Sequence, residues 1–153
     1  MHQDRQFNKI YLATDHAGFE LKNIVKEWLL DEGFDLVDCG ASEYDPLDDY
    51  PKFIKQAAEF VVKDDNACAI IFGGSGQGEA MTANRFKGVR ATVYYGGDES
   101  IIRLSREHNH ANVLSLGARF VEADLAKRVI WNWLHTPPSE DEKHARRIAL
   151  LDI

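Results

Sequence analysis

The sequence predicts an α/β fold in which helices cover both faces of a five-stranded parallel sheet. Apolar runs of strand length alternate strictly with stretches of helical periodicity. Alternation of this kind indicates right-handed crossovers and a parallel sheet. The 153 residues, 44% of them hydrophobic, are sufficient for a single domain with a real core.

The first strand and helix are predicted within residues 9–33. Residues 9–14 have the composition of a buried strand, and residues 15–18 form a turn. A helix follows, and the apolar residues that mark one of its faces at helical spacing are Leu21, Ile24, Val25, Trp28 and Leu29. Gly33 is the natural end of this helix.

The middle of the chain continues the alternation. A second strand is predicted at residues 34–37, and Pro51 suits the first turn of a helix that runs to about residue 63. The third strand (67–72), a glycine-rich loop and a helix (80–87) come next. The remaining predicted elements are a fourth strand at 89–94, a helix at 98–108 and a fifth strand at 112–116.

Two helices are predicted after the last strand. The apolar stripe of the first consists of Ala126, Val129, Ile130, Trp133 and Leu134, and this helix ends before Pro137. The second occupies residues 139–151, with Ser139 and Glu142 in capping-box positions. The whole is a single-domain, Rossmann-like three-layer sandwich with an extra C-terminal helix. Residues 1–7 are expected to be a flexible extension of a domain at 8–153.

The bulk composition excludes several classes of function. A formal net charge of −7, without a run of Lys or Arg, argues against nucleic acid as a partner. No apolar run approaches membrane-spanning length, and the first residues lack the apolar core of a signal peptide. Cys39 and Cys68 have no metal-ligand spacing and need not pair, which suits a reducing cytoplasm.

The most informative stretch is residues 73–79, Gly-Gly-Ser-Gly-Gln-Gly-Glu, between a predicted strand and a predicted helix. Glycines expose backbone N–H groups to a ligand, and the positive end of a helix dipole adds to them. Glu79 would repel a phosphate in this loop. A carboxylate is better suited to remove a proton while the N–H groups stabilise the resulting anion. The loop therefore predicts proton-transfer chemistry.

A P-loop, a dinucleotide-binding turn and a tight structural turn are the other interpretations of this loop. Gly73 and Gly78 have the spacing of a P-loop, but Glu79 and Ala80 occupy the positions of the phosphate- and magnesium-binding residues. The dinucleotide fingerprint fails because its third glycine comes one position early. A tight turn that merely packs a helix on a strand stays open.

Polar residues also follow the first strand. In open parallel sheets, ligands bind at the carboxyl ends of the strands. Asp15 and His16 after the first strand are therefore expected to converge with the glycine loop after the third strand in one site.

Five motifs together resemble the ribose-5-phosphate isomerase B family, from about residue 8 to residue 147. They are Asp15-His16-Ala17-Gly18-Phe19, Asp49-Tyr50-Pro51, Gly73 to Glu79, Ala83-Asn84-Arg85 and Ser105-Arg106-Glu107-His108-Asn109. The resemblance implies interconversion of ribose 5-phosphate and ribulose 5-phosphate through an enediolate, without a metal or cofactor, in the pentose phosphate pathway.

The resemblance also implies roles for residues of the glycine loop. Glu79 would be the base, because the cysteine that one branch of the family uses is replaced here by Gly73. Ser75 would bind the reacting end of the sugar. The developing enediolate would be held by the backbone N–H groups of the loop, at Gly74, Gly76, Gln77 and Gly78.

Residues outside the loop match further family positions. His108 would open the sugar ring, and Asn109 and Asp15 would bind sugar hydroxyls. His16 matches a position close to the phosphate, and Tyr50 matches a residue that lines the site. Taken alone, His108 could be a capping or surface histidine, Asp15 an N-cap and Tyr50 a core residue.

The family pattern places the phosphate on Arg119 and on two cations of the C-terminal helix, Lys143 and Arg147. Arginine is commoner than Lys143 at that position, and lysine lacks the bidentate fork of arginine. The resemblance implies a homodimer in which the C-terminal helix of one subunit reaches the site of the other, with dimers that could pair into tetramers. Without the resemblance, a solvated helix whose cations offset nearby acids is the better explanation.

The sequence is also compatible with competing functions. The same chemistry on galactose 6-phosphate or allose 6-phosphate differs only in pocket depth. A noncatalytic, flavodoxin-like nucleotide-binding module explains the sheet and the loop, but not Glu79 together with His108 and Asn109. A metal-dependent hydride shift is disfavoured, because the only close spacing among the six histidines is His108-x-His110.

Overall fold

The computed structural model describes residues 4–153. The strands are β1 (Lys9–Thr14), β2 (Leu36–Asp38), β3 (Ala67–Gly73), β4 (Ala91–Tyr94) and β5 (Val113–Gly117). The helices are α1 (Phe19–Asp31), α2 (Tyr50–Lys63), α3 (Gln77–Ala83), α4 (Ser100–Asn109), α5 (Ala123–His135) and α6 (Glu142–Ala149). A 3-10 turn, His16–Gly18, leads into α1.

All strands are parallel, in the order β2-β1-β3-β5-β4. The α/β class and the five-stranded parallel sheet are confirmed. In β1, Ile10 and Leu12 pack on the side of α1, α4 and α5, whereas Tyr11 and Ala13 pack on the side of α2 and α3. This alternation gives the sheet two buried faces and the domain three layers.

Two helices, α3 and α6, begin three residues away from their predicted starts. α3 starts at Gln77, directly after Gly76, whose φ of +82° turns the chain from the loop into the helix. α6 starts at Glu142, so the predicted capping box at Ser139 is wrong. The carboxylate of Asp141 caps this helix instead, accepting a hydrogen bond of 3.1 Å from Lys143 N.

The N-terminal residues pack more closely than expected. Of the predicted flexible extension, residues 1–3 lie outside the described residues. Phe7 is buried and stacks on Trp133 with ring centroids 5.5 Å apart. The Arg5 guanidinium donates hydrogen bonds to the carbonyls of Glu32 and Gly33, at 2.6 and 3.0 Å. Residues 4–7 are therefore held against α1 and α5.

No helix within residues 4–153 combines the length and the apolar composition that crossing a membrane requires.

Candidate active site

The centre of the sheet positions the first part of the site. Thr14 at the end of β1 lies opposite Phe72 of β3, and Thr14 Oγ1 donates a hydrogen bond of 3.1 Å to the Phe72 carbonyl. The chain therefore delivers Asp15 and His16 from β1, and the glycine loop from β3, to the same carboxyl edge.

The glycine loop is fixed by β5 and the residues that follow it. Ala118 N donates to the Gly73 carbonyl at 2.8 Å, and Arg119 N donates to the Gly74 carbonyl at 3.1 Å. Ser115 Oγ donates to the Gly76 carbonyl at 2.6 Å. With these carbonyls engaged on the β5 side, the loop has a defined shape before any ligand arrives.

The N–H groups of the loop are less engaged than its carbonyls. Among residues 4–153, no acceptor is found for the N–H groups of Ser75 and Gly76. Gln77 N makes a 3.3 Å bond to Ser75 Oγ, so this hydroxyl also caps the start of α3. Two unpaired N–H groups next to each other can stabilise a developing oxyanion.

Glu79 lies in the first turn of α3, is only 4% exposed, and directs its carboxylate at Gly73. That carboxylate occupies the space in which a side chain at residue 73 would begin. Burial is the main cause that raises the Glu79 pKa. A hydrogen bond from its own N–H lowers the pKa, and the Asp15 charge raises it further. A carboxylate with a raised pKa is a more effective base near neutral pH.

Tyr50 and Arg119 flank the loop. A Cβ added to Gly78 would lie 2.6 Å from Tyr50 Cζ, and one added to Gly74 would lie 3.0 Å from Arg119 Nη1. The glycines thus permit close approach of both side chains. No ion pair among residues 4–153 involves Arg119, so its charge is available to an anion.

Asp15 and His16 lie beside Asp48, a residue that the sequence had not singled out. The Asp15 carboxylate accepts a 3.0 Å bond from Ala17 N, so Asp15 is also an N-cap. His16 Nδ1 lies 2.7 Å from Asp48 Oδ1. Ligand atoms of the three side chains lie within 4.8 Å of one another, so the group could hold a metal ion. Hydrogen bonds already engage Asp15 through Ala17 N and Asp48 through His16.

The remaining predicted site residues form a second group. His108 and Asn109 end α4, and the His108 ring stacks on that of His144 with centroids 4.3 Å apart and planes inclined by 14°. A cavity of about 250 Å³ is lined by His108, Asn109, His144, Arg147, Ile148 and Leu151. Lys143 is exposed, with Nζ 3.5 Å from Asp141 Oδ2. Burial, and then the charge of His108, lower the His144 pKa.

Within one chain the two groups do not meet. α4 ends just before β5 begins, which places His108 and Asn109 at the amino edge of the sheet. The glycine loop lies at the carboxyl edge. The five residues of β5 separate these edges by about 16 Å at the usual rise per strand residue. Each edge therefore carries only part of the predicted site.

Comparison with known proteins gives the family. The family described as Ribose/Galactose Isomerase matches residues 10–151. The chain belongs to this ribose/galactose isomerase family. A Mycobacterium leprae protein named ribose-5-phosphate isomerase B is 39% identical over 143 residues, which are 94% of this chain and 87% of the relative.

Solved structures of similar proteins support the same ribose/galactose isomerase family. Ribose 5-phosphate isomerase B from Anaplasma phagocytophilum superposes with a TM-score of 0.88 at 32% identity, covering 96% of this chain and 98% of that one. The Mycoplasma genitalium enzyme, solved with bound ribulose 5-phosphate, gives a TM-score of 0.86 at 37% identity, covering 92% and 91%. The resemblance inferred from the motifs is confirmed.

Sequence reasoning missed several residues that shape this ribose/galactose isomerase site. Arg106 is buried and donates to the carbonyls of Thr136 and Ala111, at 3.1 and 2.6 Å, so it fixes the end of α4 against the link to α6. Its position inside the Ser-Arg-Glu-His-Asn motif was the available signal. Gln77 was predicted to contribute its backbone N–H, which here donates a 3.3 Å hydrogen bond to Ser75 Oγ, and its side chain is exposed and lines a groove with Met81 and Asn84.

Proposed function

We propose that the chain is a ribose-5-phosphate isomerase, which interconverts ribose 5-phosphate and ribulose 5-phosphate by proton transfer. The observation that carries this proposal is the buried Glu79 carboxylate, held against Gly73 beside the free N–H groups of Ser75 and Gly76. The bound ribulose 5-phosphate of the Mycoplasma genitalium relative supports the choice of substrate.

The chemistry requires a base and an anion site side by side. Glu79 removes the proton from C2 of the open-chain aldose, and the electron pair moves toward the C1 carbonyl oxygen to give an enediolate. The N–H groups of the loop stabilise the negative charge on that oxygen. The proton of the C2 hydroxyl passes to the C1 oxygen, and Glu79 returns its proton to C1 as the C2 carbonyl forms, which yields the ketose.

Ring opening and phosphate binding use the other residues. His108 takes a proton from the anomeric hydroxyl and supplies one to the ring oxygen, and Asn109 and Asp15 bind sugar hydroxyls. Arg119 binds the phosphate from the carboxyl edge. Lys143 and Arg147 bind it from α6 of another chain, and the distance between the two edges supports this part of the proposal.

The proposal therefore includes a homodimer with two shared sites. Each site combines the carboxyl edge of one subunit with the amino edge of its partner. The strand β4 lies at the edge of the sheet. Met81 lies beside this strand, Leu150 and Leu151 lie on the C-terminal segment, and each of the three is more than half exposed. An open edge strand with apolar neighbours is suited to cover by a second copy.

The proposal includes a metabolic pathway and a cellular compartment. The substrate and product are those of the pentose phosphate pathway, and we infer that the enzyme acts in the cytoplasm. The two free cysteines, Cys39 and Cys68, support a reducing compartment.

The test is isomerisation of ribose 5-phosphate by the purified chain and by Glu79→Gln, in EDTA. Allose 6-phosphate and galactose 6-phosphate are assayed in parallel. We expect turnover of the pentose, reduced by a factor of about a hundred or more in Glu79→Gln. Activity confined to a six-carbon sugar would change the substrate and keep the chemistry. Inactivity on all three would favour a noncatalytic binding module.

A further inference from the structure

Asp48 stands out in a segment that has no regular secondary structure. Residues 39–49 connect β2 to α2, and residues 42–47 are all exposed. At Asp48 the chain turns inward, and the side chain is only 8% exposed. Its Oδ2 atom is buried and has no hydrogen-bond partner among residues 4–153.

The other oxygen of Asp48 binds His16 twice. Asp48 Oδ1 accepts a 3.0 Å bond from His16 N and lies 2.7 Å from His16 Nδ1. An ionised carboxylate only accepts hydrogen bonds, so this contact places a proton on Nδ1. Tyr44 packs edge-on against the same ring, with centroids 6.4 Å apart and planes at 86°. The ring is therefore held by two residues of the 39–49 segment.

We propose that Asp48 is a positioning residue for His16. By fixing the proton on Nδ1 and the plane of the ring, Asp48 leaves Nε2 as the nitrogen that contacts the sugar phosphate at the carboxyl edge. Carboxylates that orient functional histidines in this way are a common arrangement in enzyme sites. This inference rests on the proposed function, because the sugar phosphate is the ligand of His16.

A buried carboxylate with one unpaired oxygen has an energetic cost. A carboxylate that only stabilised its own loop would not incur that cost. The unpartnered Oδ2 loses its hydration without replacement hydrogen bonds. Asp45 offers the contrast in the same segment. Its Oδ1 accepts a 2.9 Å bond from Leu47 N, it is exposed, and it does not contact His16. Asp45 stabilises only its own segment, whereas the Asp48 side chain contacts His16 in the site.

The experiment compares Asp48→Ala, Asp48→Asn and the matched loop control Asp45→Ala. KM and kcat for ribose 5-phosphate are measured with the melting temperature, and the tautomer of His16 is read by ¹⁵N NMR. We expect Asp48→Ala to raise KM about tenfold with little change in kcat, because the lost interaction binds substrate and transition state alike. Asp48→Asn keeps an acceptor for Nδ1 and should restore most of the affinity.

Two further measurements test whether Asp48 acts through His16. In the His16→Ala background, Asp48→Ala should have no additional effect on KM, since the two residues act as one unit. The wild-type spectrum should show the proton on Nδ1 and Asp48→Ala should lose that preference. An unchanged tautomer, or an equal rise in KM in Asp45→Ala, would overturn the inference. If wild type does not turn over ribose 5-phosphate, the proposed function fails, and the NMR arm still decides whether Asp48 sets the tautomer.

Discussion

The Glu79 carboxylate and the α-carbon of Gly73 lie in direct contact, and the carboxylate fills the space of a side chain at residue 73. A cysteine at position 73 and a buried glutamate at position 79 would therefore compete for one volume. This explains in steric terms why a chain that resembles the glutamate branch has glycine where the other branch has cysteine.

Gly73→Ala tests this contact directly. The added methyl group must displace the Glu79 carboxylate, and we expect kcat to fall by about a hundredfold, since small misplacements of a reacting group are costly. Gly74→Ala is the comparison variant, because its methyl group meets the flexible end of Arg119, the proposed phosphate ligand, and not the base. It should raise KM and change kcat much less. Equal activity of Gly73→Ala and wild type would contradict the assignment of Glu79 as the base.

The pH dependence of kcat/KM should report the pKa of Glu79. The base must be ionised, so activity is lost as the pH falls through a pKa that burial raises above the ordinary value of 4.5. Asp15→Asn removes a negative charge that raises this pKa. The acid limb should then move to lower pH, whatever the variant's absolute activity. An acid limb at the same pH in both proteins would contradict Glu79 as the titrating base.

The shared site predicts complementation between inactive variants. Glu79→Gln disables one edge of the sheet and His108→Ala the other. When the two variants are dissociated and reassociated together, half of the dimers are mixed, and each mixed dimer has one intact site. We expect about a quarter of wild-type activity. A mixture no more active than the sum of its components would show that each chain builds its site alone.

The packing of Phe7 predicts an effect on stability. Phe7→Ala removes a buried ring that stacks on Trp133, and we expect the free energy of unfolding to fall by about 3 kcal/mol. Leu47→Ala is the control, since Leu47 is 86% exposed, and it should be nearly neutral. Urea titration of both variants measures the difference. If Phe7→Ala were as stable as wild type, residues 4–7 would be a loose extension.

Much of the fold could be predicted because its signals are local. The apolar runs and helical stripes predicted all five strands and six helices, with errors mainly at their ends. At α6 two caps competed, and Asp141 rather than Ser139 accepts a hydrogen bond from the first turn of the helix, from Lys143 N. Residues 4–7 were misjudged because Phe7 gains its burial from Trp133, which is distant in sequence.

The candidate site could also be predicted only in part. The glycine loop and Glu79 are contiguous, so their proximity was readable from the chain. The contact of Asp48 with His16 joins residues 32 positions apart through an irregular segment, and an Asp-rich stretch gives no sign of which carboxylate turns inward. The placement of His108 at the opposite edge follows from topology, because a helix that precedes a parallel strand ends at the strand's amino end.

Isomerisation of ribose 5-phosphate in D₂O with EDTA tests the central claim most directly. Proton transfer through Glu79 and an enediolate predicts deuterium at C1 of the ribulose 5-phosphate, because the carboxylate exchanges its proton with solvent before returning it. Glu79→Gln should lose both turnover and incorporation. Full retention of the substrate hydrogen at C1 during rapid turnover, with Glu79→Gln as active as wild type, would contradict a proton-transfer mechanism based on this carboxylate.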